Sequence, residues 1–262
     1  MGILERASDC STIKVRLEDD ICFIQIDRPE ANNTINDQLV DEMNDILDLC
    51  EDAVNVVVLE GLPEVFCFGA DFKGIQQGLV AGNHQEQDPE PLYDLWLKLS
   101  TGPYVTVAHV RGKANAGGIG FVAACDVVLC EEKAVFSLSE LLFGLMPACV
   151  LPFLNRRMGF AKANYMTLMT QPISARQALE WGLVDACEEN SNGLLRRHLL
   201  RLRRLNKEGV ARYKTYMNKL DDDLITAKQK ALDGNREVFS NPDNLRLIAR
   251  YVETGKFPWD PD

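Results

Sequence analysis

The sequence predicts an α/β protein in which a mixed strand-and-helix part precedes an all-helical part. Three observations predict it. Short apolar, β-branched runs alternate with helical periods up to about residue 190. The central stretch from Arg111 to Asp126, RGKANAGGIGFVAACD, sets a glycine-rich turn between an apolar run and a small-residue helix start. From Leu194 the pattern is helical to near Lys256. The expected division is therefore 1–190 and 191–262.

Composition narrows the class. A chain of 262 residues is long enough for one large core. No apolar run reaches the ~18 residues of a membrane span. The N-terminal MGILERASDC has acidic residues and no apolar signal core, so a cytoplasmic location is expected. The eight cysteines are scattered without a CxxC pair and read as reduced thiols. His84, His109 and His198 do not cluster with them at ligand spacing, so no metal is expected. The net charge of −11 hides a basic segment, Arg196 to Lys219, with nine Lys and Arg against Glu208 alone. Such a segment is either a solvated helix face or a docking surface for phosphate or an acidic partner. Its only aromatics are Tyr213 and Tyr216, which argues against nucleic acid.

Taken in order, IKVRLE and ICFIQID form a hairpin across Asp19-Asp20. Asn36 or Asp37 caps a helix whose apolar positions run from Leu39 to Cys50. Val54 to Leu59 is a buried strand, expected to be parallel. VFCFGAD follows, turning at Gly69. Lys73 to Leu92, with three glycines, His84 and a polar run, reads as a loop. A helix from Leu92 to Leu99 leads to the strand Tyr104 to Val110, where His109 reads as a satisfied core histidine. Strands are expected at 127–130, 134–136 and 183–185. Helices are expected at 161–170 and 174–181, the second capped by Ser174. Breaks in the helical part are expected at Gly209, Gly234 and Pro242.

The glycine-rich turn carries the first functional signal. Strand, turn and helix leave backbone N–H groups pointing into a pocket, which suits an oxyanion. The turn has neither a Gly-Lys-Ser/Thr ending nor GxGxxG, so it is not a nucleotide-phosphate loop. Close packing alone would also demand glycine.

VFCFGAD, the KANAGGIG turn with its following CD, FSLSELLFG and ISARQALEWGLVD, in that order, resemble the crotonase (enoyl-CoA hydratase/isomerase) superfamily from about Ile13 to Phe257. RPEANN, LEGLPEVFCFGADF and LLFGLMPACVLPFLNRRMG carry a closer likeness to the dehydratases of polyketide β-branching cassettes. The resemblance implies a crotonase-like spiral of ββα turns and a C-terminal all-helical trimerisation domain, in trimers or hexamers. It implies dehydration of 3-hydroxy-3-methylglutaryl on an acyl carrier protein to 3-methylglutaconyl. No cofactor beyond the phosphopantetheine or CoA arm of the substrate is implied.

The family's oxyanion amides fall on Ala70 and Gly117. Of its two glutamates, the second falls on Glu140 and the first on Gly120, which departs from ordinary hydratases. One carboxylate still suffices for elimination, taking the α-proton and returning one to the departing hydroxyl. The apolar setting of Glu140 is expected to raise its pKa. Asp71 is a second catalytic candidate, or a helix cap. Asn115 could bind the substrate hydroxyl or tie its loop, and Cys67 could face the pocket as a thiol. Lys73, Lys113 and Arg157 are candidates for a distal carboxylate. Lys256 resembles the family's contact to the CoA or pantetheine arm. Arg203, Arg204 and Lys207 are candidates for steering an acidic carrier protein. Other crotonase chemistry on acyl-CoA, such as decarboxylation or isomerisation, shares the oxyanion amides and remains an alternative, as does a non-catalytic binding role.

Overall fold

The computed structural model describes residues 2–80 and 88–261. The chain opens with α1 (Ile3–Ala7), then the antiparallel hairpin β1 (Ile13–Glu18) and β2 (Ile21–Ile26). Asn36 caps α2 (Asp37–Ala53), its side chain accepting from the Leu39 amide, and the apolar face from Leu39 to Cys50 is buried. Next come β3 (Val56–Glu60), β4 (Val65–Cys67), α3 (Phe72–Val80) and α4 (Glu90–Thr101). The centre follows as β5 (Val105–Val110), β6 (Lys113–Asn115) and α5 (Gly117–Ala124). Then come β7 (Val127–Glu131), β8 (Val135–Ser137) and a 3-10 turn, Glu140–Phe143. The part ends with α6 (Leu151–Met158), α7 (Phe160–Met169), β9 (Ile173–Ser174), α8 (Ala175–Glu180) and β10 (Ala186–Glu188). Four helices complete the chain: α9 (Ser191–Leu202), α10 (Lys207–Leu220), α11 (Asp223–Ser240) and α12 (Pro242–Thr254).

The strands build two sheets, one ordered β1-β2-β3-β5-β7-β10 and one ordered β4-β6-β8-β9. Three times the chain lays one strand in the first sheet, the next in the second, and then turns into helix. That repetition is the spiral of ββα turns, and β2, β3, β5 and β7 run parallel as it requires. Both faces of the first sheet are covered, which explains uninterrupted apolar runs such as Val56 to Leu59. On one face lie α2, α4 and α5. On the other, α9 sets Leu194, Leu195 and Leu199 against Ile21, Phe23, Val58 and Val107. His109 is fully buried between Glu60 Oε1 at 2.8 Å and Ser191 Oγ at 3.0 Å, so it ties β3, β5 and α9 together.

Several expectations need correction. The segment from Lys73 is helical as far as Val80 rather than a loop, and it begins with an Asp71 cap. His84 lies outside the described residues. The last strand is 186–188, not 183–185. Gly209 and Gly234 do not break helices. Gly209 takes the cap of α10, its N–H donating to Asn206 at 3.0 Å. Gly234 sits mid-helix, where a Cβ would come within 2.9 Å of Met146 Cε. The breaks fall at 203–206, at 221–222 and before Pro242.

The basic segment is also not one solvated face. Lys214 is 5 % exposed; its Nζ meets Asp126 Oδ2 at 2.6 Å and the carbonyls of Tyr104 and Leu99. Asp126 in turn accepts from the Thr106 amide at the start of β5. Lys214 therefore anchors α10 to the core. Lys214→Ala should lower stability by about 2–3 kcal/mol, because it removes a buried cation from a part-exposed carboxylate and two carbonyls. Urea unfolding of the variant against Lys219→Ala as an exposed control reads this directly.

Candidate active site

Helix α5 begins where two chain reversals touch. One follows β4, at Gly69 with φ +89°. The other follows β6, at Ala116 with φ 51° and ψ −124°. A non-glycine residue in that region costs on the order of 1–3 kcal/mol and is kept only where the surroundings enforce it. A Cβ on Gly69 would lie 2.6 Å from Ala116 Cβ and 3.2 Å from the Gly117 nitrogen. One on Gly118 would lie 2.3 Å from the Cys67 carbonyl oxygen. Only glycine allows this approach.

The consequence is a pair of amides from adjoining turns. Gly117 is the first residue of α5, so its N–H has no intrahelical acceptor. Ala70 is held by Ile35, which donates to Gly69 O at 2.8 Å and accepts from the Asp71 amide at 3.2 Å. Among the described residues neither the Ala70 nor the Gly117 N–H has an acceptor. Both residues are half-buried.

Glu140 follows β8, which pairs with β6 just before the central reversal. Asn115 Nδ2 donates to Ser139 Oγ at 3.0 Å, and Ser137 Oγ donates to Asn115 Oδ1 at 2.7 Å. These bonds clasp the start of the 3-10 turn to the central reversal. On its other side, Phe143 packs edge-on against Phe72, two residues past Ala70. Glu140 Oε2 is buried and has no hydrogen-bond partner among the described residues. Burial pushes its pKa up to about 7, against a smaller downward pull from the amides of Glu140 and Ser139.

The remaining candidates divide. Asp71 Oδ1 caps α3 through the Gly74 amide at 3.1 Å, and Oδ2 pairs with Arg28 at 3.2 Å. Its carboxylate is engaged at both oxygens, which fits the cap rather than the catalytic role. Asn115 ties its loop. Cys67 is fully buried, and burial pushes its thiol up to about 12, so it is no nucleophile. Arg157 donates to the carbonyls of Leu183, Cys125 and Asp126 and pairs with Asp185, which removes it as an anion receptor. Lys73 and Lys113 are exposed. Lys256 Nζ folds back onto Pro261 O at 2.8 Å.

The carrier-steering group also lies elsewhere within the chain. Arg203 meets Glu18 and Asp19 at the hairpin turn. Lys207 donates to Val54 O just before β3. Arg204 is exposed. Helix α10, which begins at Lys207, docks through Lys214 at the C-terminal end of α5, about 12 Å of helix away from Gly117. A groove of about 520 Å³ lined by Val105, Asp126, Tyr213 and Lys214 is at that far end too and holds none of the site residues.

Two features of the site had no sequence expectation. One is Trp96, whose indole fills the space beside Gly120: a Cβ there would lie 2.4–2.6 Å from three of its ring carbons. Only the glycine at 120 hinted at it. The other is α12, which packs on α3 and on the 3-10 turn through Leu245, Ile248 and Tyr251. Asn244 Nδ2 donates to Gly144 O at 3.1 Å, directly after Phe143. Among the described residues no cluster of His, Cys, Asp or Glu could hold a metal ion.

Comparison with known proteins gives the family and the fold. Residues 16–262 match the family model for enoyl-CoA hydratase/isomerase. The chain is 61% identical over 250 residues to the bacillaene synthase dehydratase PksH of Bacillus subtilis (strain 168), covering 95% of this chain and 96% of that one. It superposes on the crystal structure of the Bacillus subtilis pksH protein with a TM-score of 0.94, over 95% of this chain and 100% of the other. An enoyl-CoA hydratase from Bacillus halodurans, 19% identical, shares the fold with a TM-score of 0.82 over 91% of this chain and 99% of that one. The chain belongs to the enoyl-CoA hydratase/isomerase family and has the crotonase fold.

Proposed function

We propose that this protein is a hydro-lyase that dehydrates 3-hydroxy-3-methylglutaryl, held as a thioester on an acyl carrier protein, to 3-methylglutaconyl during polyketide β-branching. The reading is supported by one carboxyl, Glu140, with a buried unpartnered oxygen, by two backbone amides that have no acceptor among the described residues, and by glycine rather than a second carboxylate at position 120. The 61% identity to a dehydratase of bacillaene synthase supports the polyketide setting.

The chemistry follows from the groups present. The thioester oxygen accepts from the N–H groups of Ala70 and Gly117, which lowers the energy of the enolate. A single such donor is worth on the order of 3 kcal/mol. Glu140 takes the Cα proton, and the C–H electron pair delocalises onto the thioester oxygen. That pair then forms the Cα–Cβ double bond as the C3–O bond breaks. Glu140 returns its proton to the departing hydroxyl, which leaves as water. A group that both takes and gives a proton works best with a pKa near the working pH, and about 7 suits both steps. Exposed apolar side chains on α7 and α10, among them Phe160, Leu168, Tyr213 and Leu220, support assembly of several copies. The same two amides would also serve decarboxylation or isomerisation of an acyl-CoA.

Mass spectrometry of the loaded carrier protein separates dehydration from decarboxylation. Wild type should remove one water, and Glu140→Gln should slow this by about 10²–10⁴-fold. Loss of carbon dioxide instead would establish the decarboxylase, and an unchanged mass on carrier and CoA forms would exclude both.

The same carboxyl sets a pH dependence. Its folded pKa is raised, so the folded state binds more protons than the unfolded state between about 4.5 and about 7. Stability is therefore lost as pH rises through that window, by roughly 3 kcal/mol. Glu140→Gln should melt above wild type at pH 8 and lose that advantage near pH 4. Wild-type kcat/KM should rise through pH 7 as the base ionises.

A further inference from the structure

We propose that Trp96 is a substrate-binding residue of this site: its indole N–H donates to the hydroxyl on C3 of the acyl chain, and its ring walls the space that carbon occupies. The inference rests on the dehydratase reading above.

Trp96 is 1 % exposed, and its Nε1 has no acceptor among the described residues. A dry indole N–H without an acceptor is costly, and buried Trp nitrogens normally find one. The aromatic packing does not supply it. Phe121 and Phe153 meet the ring edge-to-face, each at 5.8 Å, and offer no acceptor atom. Packing explains the ring but not the nitrogen.

The orientation of the ring points to the ligand. The indole carbons nearest a Cβ on Gly120 are Cζ2, Cε2 and Cη2, and Cζ2 is also 4.0 Å from a Cβ on Gly117. Those atoms form the long edge of the indole that carries Nε1. Gly117 and Gly120 are three residues apart on one helix, so they share a face. The N–H edge of Trp96 thus runs along the face of α5 whose first amide is the Gly117 donor. With the thioester oxygen on that amide, C3 is the second carbon beyond the carbonyl, and its substituents extend toward that edge. A neutral donor suits a neutral hydroxyl. It also meets the charge that grows on the oxygen as the C3–O bond breaks, before Glu140 protonates it. Two unpartnered buried atoms, Nε1 of Trp96 and Oε2 of Glu140, then find their partners on one oxygen and one proton of the same substrate.

The test uses the full chain and two pantetheine thioesters, 3-hydroxy-3-methylglutaryl and its 3-deoxy analogue, 3-methylglutaryl. The protein has three tryptophans, at 96, 181 and 259, so the nitrogen-15 indole spectrum is simple, and Trp96→Phe assigns the signal that disappears. The hydroxy ligand should move the Trp96 N–H signal downfield and the deoxy ligand should not. Trp96→Phe should lower kcat/KM by about 10–100-fold on the hydroxy substrate. It should weaken binding of the deoxy analogue less than binding of the hydroxy ligand. Equal responses to the two ligands, or unchanged turnover in Trp96→Phe, overturn the donor role and leave the dehydratase standing. If wild type binds the hydroxy ligand and releases no water, the dehydratase reading falls; the contrast between the two ligands then still decides whether the indole meets that hydroxyl. The wall is tested without substrate. Gly120→Ala should melt below wild type, and Trp96→Leu should recover most of that loss in the double variant. Additive losses overturn the wall.

Discussion

The structure depends on how closely two chain reversals approach each other around the first turn of α5. Gly69, Gly117, Gly118 and Gly120 each face a neighbour that a Cβ would strike: Ala116, Ile35, the Cys67 carbonyl and the Trp96 ring. Side chains there would hold the second sheet, α2 and α4 away from the helix. Because the glycines let them in, the Ala70 and Gly117 amides sit in rigid, well-packed turns rather than on a flexible loop. Donors fixed in advance cost no reorganisation when charge develops. The left-handed Ala116 is part of the same arrangement, strain held in place by the bond from its amide to Ser137 O.

Much of this was legible in the chain because it is local. The hairpin, the Asn36 cap, the Ser174 capping box and the glycine turn are written within a few adjoining residues. So was the apolar setting of Glu140. What escaped has partners far away in sequence. Trp96 looks like any apolar residue of an amphipathic helix until α5 is laid against it. Asp71 looks catalytic beside the oxyanion turn until Arg28 and Gly74 are seen to occupy both its oxygens. The glycines at 209 and 234 look like helix breaks, but one accommodates a cap and the other a methionine.

Charge composition misled for a related reason. The basic segment is conspicuous in the sequence, yet its members serve different ends. Lys214 is interior, Arg203 faces the first hairpin and Lys207 closes the approach to β3. A cluster along the chain became three separate ties once α9 and α10 wrapped the sheet. At the candidate site the opposite holds: a single carboxyl with one buried, unpartnered oxygen stands out more than nine cations.

The contact between Asn244 and Gly144 has a temporal side. The turn that bears Glu140 is held from above by α12, a helix made long after it. On the ribosome, both glycine reversals can close while that helix is still inside the exit tunnel. The nascent chain would then hold the Ala70 and Gly117 amides in place while the Glu140 turn still lacks its support from α12. Seating of the Glu140 turn thus waits on the late-made part of the molecule.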